Sequence, residues 1–145
     1  MPNIELKLKL EVIGTITTCP SIAIHRGEKY IIGLRHYSAE LPLWTMPGGR
    51  CTGVETVEAA LRREVTEETG ITDLTITDFV SEFSGAKAGD IVYFFIGTTT
   101  QEPKLLEPDK FSEWRWESIE NVPTNFINPE ALAMLTAYAQ RSRTN

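Results

Sequence analysis

Hydrophobic and polar positions change period several times along the chain, and each change predicts an element. Ile4, Leu6, Leu8 and Leu10 alternate with polar residues, the pattern of a half-buried strand that Val12 to Thr18 could continue. Ile22 to Ile24 and Tyr30 to Leu34 are apolar runs flanking His25-Arg26-Gly27-Glu28-Lys29, which reads as a hairpin turn. A longer period takes over at Thr56 to Thr69, where no breaker occurs until Gly70, so one helix of roughly four turns is expected. Leu74 to Ser81 and Ile91 to Thr99 are rich in β-branched and aromatic residues and read as strands. Ser84 to Asp90, with Gly85, Ala86, Ala88 and Gly89, reads as a flexible loop between them. Trp114-Arg115-Trp116 is a last strand. Asn128-Pro129-Glu130 then opens a final helix as cap, first-turn proline and acid, with Ala131, Leu132, Leu135 and Tyr138 as its packing face. Strands before and after a central helix, with a helix at the end, predict an α/β (α+β) fold in which a mixed sheet lies between helices.

The central helix breaks the ordinary rules of helix composition. At about 100° per residue, Val57, Leu61 and Val65 fall within one arc of roughly 80°, and Glu64 and Glu68 lie on or beside it. Glu64 and Glu68 are a like-charged i,i+4 pair. Glu67 and Glu68 occupy the last turn, where the negative end of the helix dipole repels anions. Glu58 and Arg62, an i,i+4 pair on the outer face, fit a plain solvated surface; the other glutamates do not. A hard divalent cation takes oxygens from one or two carboxylates and completes its shell with water and substrate phosphate, and the spacing of Glu64, Glu67 and Glu68 can deliver such oxygens. The Thr45-Met46-Pro47-Gly48-Gly49 breaker cluster precedes them, and its glycines let the backbone come close enough for a carbonyl to join.

The full spacing is more specific. Gly49, five residues, Glu55, seven residues, Arg63-Glu64-Val65, one residue, Glu67-Glu68, one residue, Gly70-Ile71 resembles a complete Nudix box, with Trp44 and Pro47-Gly48-Gly49 similar to its usual lead-in. The likeness in layout runs from about Ile16 to the last helix and is nearest to the MutT-type nucleoside triphosphate pyrophosphohydrolases. The resemblance implies a Nudix-like mixed β-sheet sandwiched between helices, and hydrolysis of a phosphoanhydride in a nucleoside diphosphate linked to another group, assisted by Mg²⁺ or Mn²⁺. By position it implies Glu64, Glu67, Glu68 and the Gly48 carbonyl as metal ligands, and Arg63 as the residue that orients the glutamates, pairing with Glu55. Glu64, Glu67 and Arg63 are the catalytic candidates in the box. Glu107, in Glu107-Pro108-Asp109-Lys110, is a further candidate ligand or base, or simply part of a polar turn.

On the substrate side the candidates are Arg35, Gly49, Glu55 and Asn128. Arg35 ends a strand just before the variable segment His36 to Leu43, where the resemblance implies a phosphate-contacting arginine; a surface salt bridge explains it almost as well. Asn128 resembles a purine-reading asparagine and is equally explained as a helix cap, with Asn125 as a second candidate. Phe83, Tyr93 and Phe111 could stack on a base or fill the core, and His36 could meet a phosphate or merely solvent. Gly85-Ala86-Lys87-Ala88 fills the window where ADP-ribose hydrolases of the family carry a proline and dinucleoside polyphosphate hydrolases a tyrosine. A (deoxy)nucleoside triphosphate cleaved to monophosphate and pyrophosphate is therefore the favoured reaction, with sanitisation of damaged nucleotides as a purpose. Nucleotide-sugar or ADP-ribose hydrolysis and a non-catalytic nucleotide-sensing module are the alternatives.

Composition sets limits on these readings. The 145 residues, 41% hydrophobic and 23% charged, suit a single domain spanning 1–145. No apolar run reaches membrane-spanning length and the N-terminus lacks a signal-like basic and apolar sequence, so a cytoplasmic location without membrane association is expected. A formal net charge of -6 disfavours non-specific adhesion to nucleic acid, and the expected partner is a small nucleotide, with a homodimer as the expected assembly. Cys19 and Cys51 lack metal-site spacing and read as structural thiols.

Overall fold

The computed structural model describes residues 3–36 and 41–144. The variable segment His36 to Leu43 therefore lies partly outside the described residues. The elements are helix α1 (Ile4–Glu11), strands β1 (Thr18–Arg26), β2 (Lys29–Arg35) and β3 (Leu43–Thr45), helix α2 (Val57–Thr69), strands β4 (Thr75–Ser84), β5 (Ile91–Thr98) and β6 (Phe111–Ser118), and helix α3 (Pro129–Thr144). The six strands form one mixed sheet with β3-β2-β1-β5-β4 in sequence across it and β6 on the other edge of β2. Among the described residues no helix is long and apolar enough to cross a membrane.

Two apolar layers follow from the period of the strands. Ile22, Ile24, Ile31 and Phe95 point to the α2 side, where they meet Val57, Leu61 and Val65. Their neighbours Ala23, Tyr30, Ile32, Phe94 and Ile96 point to the α3 side and meet Ala131, Leu135 and Ala139. Strands covered on both faces carry continuous apolar runs, as Ile22 to Ile24 and Phe94 to Ile96 do.

The N-terminal alternation is a helix and not the expected strand. Leu6 and Leu10, one turn apart, pack against the α2-side core, while Ile4 and Leu8 stay 68% and 60% exposed. A pattern that alternates also repeats at i,i+4. Helix-forming Leu, Lys and Glu, with Asn3 Oδ1 accepting from the Leu6 N–H at 3.0 Å, decide between the two. Lys9 then reaches across to Glu82 at 3.1 Å and sits over the rings of Phe79 and Tyr93, 5.4 Å from each centroid.

The other expected elements form, most of the strands longer than expected, while β5 ends at Thr98, one residue short. The hairpin, central helix, closing strand and capped last helix are all present. The loop after Ser84 is closed by Gly85 N–H to Asp90 O at 2.8 Å and Asp90 N–H to Lys87 O at 3.1 Å.

Strands β1 and β2 pair only at His25 with Tyr30 and Arg26 with Lys29, then part. The freed edge of β2 is taken by β3, whereas the freed edge of β1 is taken by the Pro47-Gly48-Gly49 turn. Ile22 N–H donates to Pro47 O at 3.0 Å and Gly49 N–H to Pro20 O at 3.1 Å. A Cβ on Gly48, whose φ is +151°, would lie 2.4 Å from the Pro20 carbonyl oxygen. This turn carries the chain directly over α2.

Candidate active site

Helix α2 is fixed at both ends before any charge is placed. Thr56 Oγ1 accepts from Ala59 N–H at 3.1 Å, and Gly70, at φ 76°, closes the C-terminus by donating to Thr66 O at 2.9 Å. With Val57, Leu61 and Val65 buried, helical geometry leaves Glu68 on the covered face, where it is only 4% exposed. The Gly48 N–H donates to Glu68 Oε1 at 3.1 Å. Burial pushes the Glu68 carboxyl up to about 8; the Gly48 hydrogen bond opposes this, Glu64 and Glu107 add to it, and Arg35 opposes it.

Arg63 organises the remaining acids. Its Nη2 and Nε donate to the two oxygens of Glu55 at 2.6 and 3.2 Å, its Nη1 to Glu64 Oε1 at 2.8 Å and Glu67 Oε1 at 3.1 Å, and Nη2 also to the Arg50 carbonyl at 3.1 Å. This planar fork is a geometry lysine cannot reproduce. The Arg63 guanidinium holds the Glu55 carboxyl below its usual range. Glu64 moves the other way: burial raises it, Arg63 opposes, and Glu67 and Glu107 raise it further. Gly49 makes room for it, since a Cβ there would sit 2.4 Å from Glu64 Cδ.

The structure thus brings Gly48, Gly49, Glu55, Arg63, Glu64, Glu67 and Glu68 together, and the field of Glu107 reaches the same place from the loop before β6. Arg35 joins at the end of β2, its guanidinium 5.4 Å from the Phe111 centroid and its charge felt at Glu68. His36 is tied to β6 through Ser112 Oγ and the Lys110 carbonyl.

Among the described residues, no three acidic, histidine or cysteine side chains form a ready-made metal cage. Arg63 draws Glu64 and Glu67 to one side, and Gly48 holds Glu68 at another. The donors nevertheless fit a hard divalent cation. They are carboxylate oxygens, both Glu64 and Glu68 are raised by burial, and each has acidic neighbours that raise it further, Glu67 and Glu107 for Glu64 and Glu64 and Glu107 for Glu68, a crowding that a cation would relieve.

A cavity of about 860 Å³, a size that suits a nucleoside-sized ligand, has its apolar wall on the α3 side of the sheet and extends to Pro20, Ser21 and Arg50 beside the glycine turn. Met46, Phe83, Val92 and Phe126 supply its apolar wall, and Asn128 its amide. Asn128 is also a cap, as its Oδ1 accepts from Glu130 N–H at 3.1 Å, while Nδ2 donates to Ser84 O at 3.4 Å. Asn125 is engaged through its carbonyl by the Trp44 N–H at 2.9 Å, and Phe111 is core, packed 4.6 Å from Trp114. Tyr93 packs edge-on to Phe79 beneath Lys9.

Cys19 also lines the cavity, with its thiol raised by burial. Cys51 is buried on the α2 side and burial pushes it up to about 11. Several lining residues were not singled out by the sequence, among them two charged ones. Arg50 and Asp90 form a two-armed pair, one arm at 2.7 Å, at the cavity edge. The available signal was faint: a cation directly after Gly49 and an acid closing a glycine-bounded loop.

A family model described as NUDIX domain matches residues 20–137. An RNA pyrophosphohydrolase of Caulobacter vibrioides (strain NA1000 / CB15N) is 28% identical over 122 residues, covering 70% of this chain and 71% of that protein. The fold is shared with the MutT NUDIX hydrolase from Burkholderia pseudomallei, at TM-score 0.64 and 23% identity over 82% of this chain and 95% of that one. It is shared too with an Ap4A hydrolase from C. elegans, at TM-score 0.73 and 20% identity over 88% of this chain and 99% of that one.

Proposed function

The chain belongs to the Nudix family of hydrolases, which generally use divalent metal cations, and on that premise we propose that it hydrolyses a nucleoside triphosphate to the monophosphate and pyrophosphate with Mg²⁺ or Mn²⁺. The observation that carries this reading is the Arg63-centred group of acids beneath the Gly48-Gly49 turn, one residue along the chain from Arg50 at a nucleoside-sized cavity.

Glu64, Glu67, Glu68 and the Gly48 carbonyl would hold the cation. When bound, it neutralises phosphate charge and makes water acidic enough to attack. Arg63 fixes Glu64 and Glu67 in orientation through its shared Nη1. Glu64 takes the attacking water's proton at Oε2, the oxygen to which Arg63 does not donate; Glu107, whose Oε2 accepts from Lys110 Nζ at 3.4 Å, is the other candidate for that role. Arg35, beside Glu68, offsets phosphate charge. Gly49 permits the close approach of Glu64, and Glu55 acts through Arg63. Asn128 and Phe83 meet the base in the cavity.

Similarity to the Caulobacter RNA pyrophosphohydrolase favours a second reading, in which the triphosphate is the 5′ end of an RNA. Both readings share the bond that is cut. The test is incubation with Mg²⁺ and a panel of nucleoside triphosphates, oxidised dGTP, 5′-triphosphorylated RNA, ADP-ribose, dinucleoside polyphosphates and nucleotide sugars, followed by product identification. Monophosphate plus pyrophosphate is expected from a triphosphate. Free orthophosphate instead would refute the cleavage site. Turnover confined to nucleotide sugars or ADP-ribose would refute the substrate, and nucleotide binding without turnover would reveal a sensor.

A further inference from the structure

Arg50 touches both halves of the site by different parts of the same residue. Its side chain grips Asp90, with Nη1 at 2.7 Å from Oδ1 and Nη2 against Oδ2, and Nη1 also donates to the Ile16 carbonyl at 3.1 Å. Its main-chain carbonyl accepts from Arg63 Nη2 at 3.1 Å. Asp90 is buried, 6% exposed, and closes the Gly85–Gly89 loop through Gly85 N–H to Asp90 O at 2.8 Å. A Cβ at Gly85 would come within 2.8 Å of Asp90 Cβ, so the loop is seated tightly on this acid. Gly85, Ala86 and Lys87 in turn form part of the cavity wall. Hydrogen bonds therefore run from that wall through Asp90, Arg50 and Arg63 to Glu64 and Glu67. A two-armed arginine–carboxylate pair fixes orientation as well as distance.

We propose that Arg50 is a positioning residue that sets substrate selectivity: its pair with Asp90 holds the Gly85–Gly89 loop as a wall of the base cavity, in register with the carboxylates that Arg63 orients. This rests on the proposed nucleotide reading for the identity of the cavity's occupant, but the latch itself does not.

The experiment uses the full chain and the variants Arg50→Ala, Asp90→Ala, the double variant, and Arg50→Lys, which retains charge but not the fork. One arm measures kcat and KM with Mg²⁺ for a nucleoside triphosphate and for methyl triphosphate, which has no base. The expected result is a roughly tenfold higher KM for the nucleoside triphosphate, an unchanged KM for methyl triphosphate, and a double variant no worse than either single one. Equal losses on both substrates, or additive losses, would overturn the proposal. The second arm follows tryptic cleavage after the exposed Lys87, which needs no turnover. Cleavage at least several-fold faster in all four variants than in the unaltered chain supports the latch, and an unchanged rate overturns it. If no triphosphate is hydrolysed by the unaltered chain, the nucleotide reading fails while the proteolysis arm still decides the latch.

Discussion

The two faces of the sheet solve opposite problems. On the α2 face, charged groups are packed closely and restrained by one another: Arg63 serves Glu55, Glu64 and Glu67 at once, and Glu68 is buried beneath a glycine turn. On the α3 face, apolar side chains from β4, β5, Met46 just after β3 and the segment before α3 leave an open cavity whose charged groups, Arg50, Lys87 and Asp90, lie toward one part of its wall. The first arrangement sacrifices local stability to hold charge where a reaction can use it. The second gains stability from its floor and offers a ligand a shaped space. On the proposed reading, chemistry belongs to the first and recognition to the second, and they meet at Arg50.

That separation makes the two faces fail differently when altered. On the α2 face, Glu67→Gln or Glu64→Gln is expected to lower kcat by roughly 10²–10⁴-fold with little change in melting temperature. An equal loss of stability would mean the acids are structural. On the α3 face, Leu135→Ala, at a fully buried position, is expected to lower folding stability by about 2–5 kcal/mol, read by denaturant titration, with kcat of the folded fraction retained.

The third alteration tests the strain of the charged face directly. The Glu68 carboxyl moves from its ordinary 4.5 to about 8 on folding, so its contribution is full below 4.5 and is lost as pH rises through about 8. Metal-free protein should therefore melt at progressively lower temperature between those pH values. Glu68→Gln should flatten the slope, and added Mg²⁺ should restore stability to the unaltered chain at the alkaline end. A slope that Glu68→Gln leaves unchanged would assign the effect elsewhere. The smallest expected effect is at the cavity rim: Asn128→Ala removes a cap worth about 1 kcal/mol, and any accompanying change in base preference, read from relative kcat/KM across nucleotides, separates recognition from capping.

How much could be read in advance divides between the same two faces. The α2 face was legible because its message is local: Glu64, Glu67 and Glu68 sit at helical spacing, and Gly49, Glu55 and Arg63 stand at fixed intervals from them. The cavity was not, because it is assembled from Cys19, Met46, Phe83, Asp90, Phe126 and Asn128, separated along the chain and joined only by strand order. Asn128 was visible as a cap, and Arg50 had no periodic pattern to single it out. The N-terminal segment misled for another reason. Leu6 and Leu10 satisfy both periods, and what settles the matter is the Asn3 cap together with a surface on α2 that no one-dimensional pattern displays.

The early parting of β1 and β2 has a practical consequence for anyone screening variants. Gly48 completes the edge of β1 and, with the same peptide, reaches over α2 to Glu68. Any bulkier residue there collides with the backbone of Pro20 and Ser21 before it can alter chemistry. Inactive clones recovered at this codon will therefore mix misassembly with lost turnover, so genetic screens will overstate its enzymatic importance unless soluble yield is scored beside activity.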